Sequence, residues 1–260
     1  MKNLDEILQE SKDNLEREKI IQLYKAFQKV DQKGGLYVTD FLTLSEQYYF
    51  QRISHLFNNL FTLLNGGIDG AERKRGFISD RLELIEYIDL DKYFIGLDIK
   101  PLENTSLNKF LEFLKEKEIE EEKIGDAWVY QNNFKIIVAK EMSDTIVEKL
   151  QEENIMFEVL SILDMKNYAR VSKILHTIEN SRRLDSIGSF ALGISRSKMQ
   201  TYIKAGAVEV NGKKILDTFY ELKEGDMISV RGIGSFRINN IKTTLKGKYS
   251  IEIERLVKRK

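Results

Sequence analysis

The sequence predicts an α+β protein in three parts: a mainly helical N-terminal domain over 1–90, a ferredoxin-like middle domain over 91–165 and, beyond a linker at 166–180, a C-terminal module over 181–260 that joins a helix pair to a small twisted sheet. Three observations predict it. Before position 65 apolar residues recur at helix spacing. Between Tyr93 and Ile162 the pattern follows the order βαββαβ, that of a ferredoxin-like sandwich. After Ser181 two short helical stretches give way to strand stretches separated by Gly-containing turns.

In chain order, Lys2 to about Val30 is expected as one helix, with Ile20, Leu23, Tyr24 and Phe27 on a face, ended by Asp31-Gln32-Lys33-Gly34-Gly35. Leu36-Tyr37-Val38 reads as a short strand. A second helix is expected from about Ser45, with Ile53, Leu56, Phe57, Leu60 and Leu64 inward, closing at Asn65-Gly66-Gly67. The loop GGIDGAERKRGF then sets glycines beside Arg73, Lys74 and Arg75. It lacks the Gly-Lys-Ser/Thr ending of a phosphate-binding P-loop. Two readings stand side by side: a second RNA contact through Arg73, Lys74 and Arg75, or an exposed turn with a charged shoulder.

The middle part is read as a strand from Tyr93 to Ile99, a helix marked by Leu107, Phe110, Leu111 and Leu114, and a hairpin of Ala127–Tyr130 with Phe134–Ala139 around Gln131-Asn132-Asn133. A helix capped by Ser143 runs to about Glu153, and Ile155–Ile162 is the last strand. RNA-recognition motifs share this order, and Tyr93-Phe94-Ile95-Gly96 loosely resembles their first-strand signature. The hairpin lacks their base-stacking aromatic series, however. Tyr93, Phe94 and Trp128 are therefore read as packing residues, and the acidic run Glu116–Glu122 as a solvated face.

In the C-terminal module Leu184, Ile187 and Ala191, with Phe190 widening the stripe, give the first helix its buried face. Gly193 and Ile194 break it. Ser195 stands where an N-cap belongs, so a second helix runs from Arg196 to Ala205 and stops at Gly206. Met199, Tyr202 and Ile203 cover one face of it; Arg196, Ser197, Gln200 and Lys204 fall within an arc of about 100° beside that face. Val208-Glu209-Val210, Asn211-Gly212 and Lys213-Lys214-Ile215 read as a tight hairpin, because Asn-Gly supplies the positive φ angles of a type I′ turn. A turn at Glu224-Gly225-Asp226 leads into the strand Met227–Val230.

Charge sharpens this division. The chain has 41 Lys and Arg against 41 Asp and Glu, but from Arg170 onward there are 19 against 9, a net of +10 balanced by −10 before it. Such a basic concentration is a footprint of polyanion binding; the bland alternative is charge placed for solubility. The chain has no cysteine, which excludes disulfides, thiolate metal sites and a Cys nucleophile. The charged start MKNLDEILQESKDNLEREK is no secretory signal, and no apolar run approaches the roughly 18 residues of a spanning helix. A cytoplasmic protein without a membrane contact is expected. Only His55 and His176 are available as neutral-pH acid or base, and neither glycine fingerprints nor metal-ligand spacing occurs. No catalytic residue, cofactor or metal is assigned. Coiled-coil heptads for a cell-division scaffold are also missing.

RRLD, SRSK, VEVNGKK and EGDMISVRGIGSFRI, in that order, closely resemble the S-four RNA-binding domain, named for a ribosomal protein. The resemblance implies RNA docked on the helix pair, through Arg182, Arg183, Ser195, Arg196, Ser197, Lys198, Gln200, Lys204, Lys213 and Lys214. Further upstream TDFLTLSEQ, GGIDGAERKRGF, KIGDAWVY and IIVAKEMSD extend the resemblance to the YlmH family of bacterial cytoplasmic proteins. That implies a non-catalytic protein, a monomer off the ribosome, binding rRNA and peptidyl-tRNA on stalled large ribosomal subunits in ribosome-associated quality control, with a tailing factor as partner. The chain departs from the family at Thr105-Ser106-Leu107-Asn108, where a basic stretch is expected, so no RNA contact is carried over to the middle domain. S-four domains also accompany pseudouridine synthases and RNA methyltransferases. An RNA-modifying enzyme that docks its substrate through this domain is the rival reading.

Overall fold

Described by a computed structural model, the chain is traced over residues 2–11, 13–103, 105–166 and 171–257. It divides into two units, Met1–Ala169 and Arg170–Lys260.

The first unit opens with α1 (Lys2–Gln9) and α2 (Asn14–Lys33) instead of the single helix expected. Asp13 makes the break: its backbone is extended and its carboxylate accepts the Glu16 amide at 2.8 Å, the geometry of an N-cap. After β1 (Leu36–Leu42), α3 (Leu44–Ser54) starts on a capping box between Thr43 and Glu46. It ends at Ser54, not at Asn65. The apolar run that follows is strand β2 (Phe61–Asn65), paired with β3 (Lys74–Ser79) in a sheet of order β1-β3-β2. A short apolar run fits either period, and here pairing with β3 satisfies its backbone. The N-terminal part is thus mixed, with α4 (Glu83–Glu86) closing it.

Next come β4 (Phe94–Lys100), α5 (Leu107–Glu116), β5 (Ile124–Tyr130), β6 (Asn133–Ala139), α6 (Ser143–Glu152) and β7 (Met156–Leu160), then a last turn of helix, α7 (Ile162–Lys166). The antiparallel sheet order β5-β6-β4-β7 is the ferredoxin-like arrangement expected. Gln131 and Asn132 make the hairpin turn with φ of 47° and 68°, both in the left-handed region that a type I′ turn requires. Ser143 begins α6 without capping it; Met142 occupies the cap position and makes no side-chain bond.

One face of this sheet packs Ile95, Leu97, Phe134 and Ile136 against Phe110, Leu114, Ile146 and Leu150 of the two helices. The other face brings Phe94, Trp128 and Ile137 together with Phe41 and Phe77 of the N-terminal sheet and with Ile162 and Met165 of α7. Phe94 lies 5.6 Å from Phe41, centroid to centroid, and Tyr93 meets Phe77 edge-on at 5.2 Å. Residues on both sides of the expected 90/91 boundary therefore share one core. The sheet face that RNA-recognition motifs leave open is covered there by apolar side chains. The acidic run Glu116–Glu122 is mostly exposed, as expected, but Glu122 pairs with Lys19 at 3.2 Å and Glu121 with Arg73 at 3.1 Å, so these two carboxylates tie the middle part to the N-terminal one.

In the second unit the segment expected as a linker carries β8 (Val171–Glu179), which pairs along its length with the last strand. Then follow α8 (Leu184–Leu192), α9 (Arg196–Lys204), β9 (Val208–Val210), β10 (Lys213–Lys214), β11 (Met227–Val230), β12 (Gly234–Thr243) and β13 (Tyr249–Val257). The antiparallel sheet runs β10-β9-β11-β12-β13-β8. Its length comes from β8 and the β12–β13 hairpin, elements with no strong turn signal. Both helices end alike. Ile194 N–H bonds Ser189 O while Gly193 N–H bonds Phe190 O, and Ala207 N–H bonds Tyr202 O while Gly206 N–H bonds Ile203 O. These are paired Schellman closures, with Gly193 and Gly206 at φ of 66° and 67°. The helix faces bury Leu184, Ile187, Ala191, Met199 and Ile203 on Phe236, Ile238, Ile251 and Ile253 of the sheet. Phe190, expected to widen the stripe, is instead exposed, because it projects from the far side of α8.

Candidate nucleic-acid interface

The surface of the helix pair is organised by a carboxylate. Asp185 stands in the first turn of α8, where an acidic group favours the helix dipole, and its side chain is wholly buried. Arg183 donates to it from Nε at 3.1 Å and from Nη2 at 2.8 Å. From α9, Arg196 donates through Nε and Nη2, each at 3.1 Å, and Gln200 through Nε2 at 2.7 Å. Two guanidinium forks and an amide thus converge on one carboxylate, with the directional geometry that makes Arg–carboxylate pairs strong. Burial alone would push the Asp185 carboxyl up. The bonds from Arg183, Arg196 and Gln200, helped by the Arg196 charge, hold it at about 2 instead.

This arrangement joins Arg183, Arg196 and Gln200, three of the residues expected to contact RNA, into one patch. One negative charge among two guanidiniums leaves the patch cationic. The Arg196 side chain is still 49% exposed, so it presents charge to solvent while its orientation is fixed.

The other expected residues divide. Ser195 is used locally: its hydroxyl accepts the Lys198 amide at 3.2 Å as the N-cap of α9. Ser197 and Lys204 are exposed near Arg196 on the helix arc. Lys198 is exposed too, but at 3.6 residues per turn it lies about 160° round the helix from Arg196, apart from the patch. Lys214 is exposed, and its stem packs beside Gly206 at the C-terminal end of α9, bringing it near the turn that carries Lys204. Lys213, on the same short strand, is half-buried. Arg182 takes a separate course, bonding Glu221 at 2.6 Å and lying 5.5 Å over the Tyr249 ring.

Of the second contact expected from sequence through Arg73, Lys74 and Arg75, the structure corrects Arg75. Arg75 is buried within the first unit, donating to Thr39 O at 2.7 Å, to Tyr93 O at 2.9 Å and to both oxygens of Glu141 at 3.0 and 2.7 Å. It faces inward, its guanidinium lying 6.0 Å from the Phe41 ring and 5.9 Å from the Phe94 ring in the core that the two sheets share. Arg73 is committed to Glu121 through both side chain and backbone, while Asp126 accepts the Glu72 and Arg73 amides at 2.9 and 2.8 Å. Lys74 lies between them on β3, half-buried. Arg73 and Arg75 thus form a structural clasp within the first unit.

Sequence reasoning missed Asp185, which looks like an ordinary solvated first-turn acid. It became central only because α9 folds back to place Arg196 and Gln200 over it. The quoted RRLD motif contains it, but no local spacing pairs residue 185 with residues 196 and 200.

Residues 182–228, which hold the two helices, the cationic surface they carry and the short hairpin after them, match the family model of the S4 domain. The C-terminal part of the chain therefore carries an S4 domain, set within a larger unit built on a six-stranded sheet. Over 239 residues, 87% of this chain and 90% of the relative, it is 27% identical to the ribosome-associated protein quality control protein P2 of Bacillus subtilis (strain 168). Among solved structures it is similar to the cell division protein ylmH from Streptococcus pneumoniae, at 12% identity and a TM-score of 0.46, over 60% of this chain and 96% of that one.

Proposed function

We propose that this protein is a non-catalytic RNA-binding factor of the ribosome, which holds rRNA and peptidyl-tRNA on stalled large subunits in quality control, with a tailing factor as its partner there. The observation that carries the reading is the Asp185 hub. It fixes Arg183, Arg196 and Gln200 on the exposed side of an S4 domain with charge in excess. Prepositioned guanidiniums suit a phosphate backbone, since Arg matches its oxygens through paired donors. The similarity to a protein named for ribosome-associated quality control supports the ribosomal setting. Among the described residues no cluster of His, Asp and Glu that could hold a metal occurs, and no helix is long and apolar enough to cross a membrane.

Gradient sedimentation of extracts in which translation has been stalled tests the proposal. The protein is expected with free large subunits, and the Arg183→Glu/Arg196→Glu double variant at the top of the gradient. Wild-type protein that stays at the top, or RNA that gains a modification on incubation with the purified protein, would overturn the reading.

A further inference from the structure

Phe219 is 63% exposed, yet it is neither loose nor alone. Its chain segment is pinned on both sides: Leu184 N–H bonds Tyr220 O at 2.8 Å, Leu222 N–H bonds Arg182 O at 2.9 Å, and the Phe219 amide donates to Asp217 Oδ1 at 2.8 Å. Thr218 before it and Leu222 beyond it are buried. The Arg183 guanidinium lies 3.8 Å from the ring centroid, a stacking distance, and covers one face of the ring. The same guanidinium is locked by its two bonds to Asp185, which also receives Arg196 and Gln200. A single exposed apolar side chain is ordinary. A phenyl ring held by a locked cation, with its remaining surface open and set beside the cationic patch around Asp185, has a more specific use.

We propose that Phe219 is a stacking platform for an unpaired nucleobase, so that the RNA taken by this unit presents a loop or extruded nucleotide beside the backbone segment held at Arg196. The inference rests on the RNA-binding reading and deepens it. The ring supplies a π-face to any base, and no hydrogen-bonding group on it selects among bases, so the recognition is of an unstacked nucleotide, not of a sequence. Continuous duplex has its bases stacked internally and offers nothing to the ring. Arg183 then serves twice, as a cation toward phosphate and as the support that keeps the phenyl ring at a fixed angle.

The test uses full-length protein and two probes, an RNA hairpin with a short unpaired loop and a blunt, fully paired duplex of the same stem, in binding titrations at one fixed salt concentration. Phe219→Ala and Phe219→Leu are expected to weaken hairpin binding about 5- to 150-fold, the range of one base–aromatic stack, and to leave duplex binding unchanged. Phe219→Trp is expected to retain or tighten hairpin binding. Equal loss on both probes would mean that the ring only supports Arg183, and unchanged hairpin binding by Phe219→Leu would mean that no base stacks there; either result overturns the inference while RNA binding stands. Wild-type protein that binds neither probe would overturn both.

Discussion

Replacing Asp185 by Asn tests the hub that organises the site. The substitution keeps the shape and removes the charge to which Arg183, Arg196 and Gln200 donate. The carboxyl is held at about 2 against an ordinary value of 3.8, a difference worth about 2 kcal/mol of folding free energy at neutral pH. Because the folded-state value is the lower one, this stability is fully present above about pH 4 and is lost as pH falls toward about 2. Trp128 lies in the first unit, so its fluorescence does not report on the helix pair. Hydrogen exchange in β12 and β13 does. At pH 7 globally exchanging amides there are expected to exchange roughly thirtyfold faster in Asp185→Asn than in wild type. The ratio is expected to shrink to about twofold near pH 2. Equal exchange at pH 7, or a ratio that does not fall with pH, would refute the assignment of Asp185 as a charged hub.

Three further outcomes follow from the same structure. Arg75→Ala is expected to destabilise the first unit by about 2–3 kcal/mol in urea titrations followed by Trp128 fluorescence, because it removes a buried side chain and leaves the Thr39 carbonyl without its Arg75 donor, whereas Arg73→Ala, at a rim contact, is expected to cost less than about 1 kcal/mol. Gly76→Ala would drive a methyl carbon into the Phe50 ring and is expected to cost about 1–3 kcal/mol in the same titration, with hydrogen exchange in the second unit unchanged. Ser195→Ala removes the cap of α9 and is expected to cost about 1 kcal/mol, read as faster exchange of α9 amides.

Elements with strong local chemistry were legible from sequence. The helix pair with its Gly193 and Gly206 stops, the Asn211-Gly212 turn and the order of the ferredoxin-like part each announce themselves through caps, turn residues or a clear period. What failed depended on distant partners. The run Phe61–Asn65 became a strand because β3 lies beside it, and the segment 171–179 became an edge strand because β13 offers a ladder. At the site, the cationic side chains were visible as residue types, but not their sorting. Arg75 is as basic as Arg196 in the sequence; one is buried against Glu141 and the other is displayed over Asp185. Phe219 gave no periodic signal, and only the Arg183 stack distinguishes it from an ordinary exposed ring.

The most direct measurement is the salt dependence of RNA affinity for wild-type protein and for Lys204→Gln and Lys214→Gln, two exposed cations whose loss leaves the Asp185 bonds intact. A steep inverse dependence is expected for wild type, and each variant is expected to flatten the slope of log K against log salt by about 0.7–0.9. A wild-type affinity indifferent to salt, or variants with the wild-type slope, would contradict the placement of an RNA backbone on this helix pair.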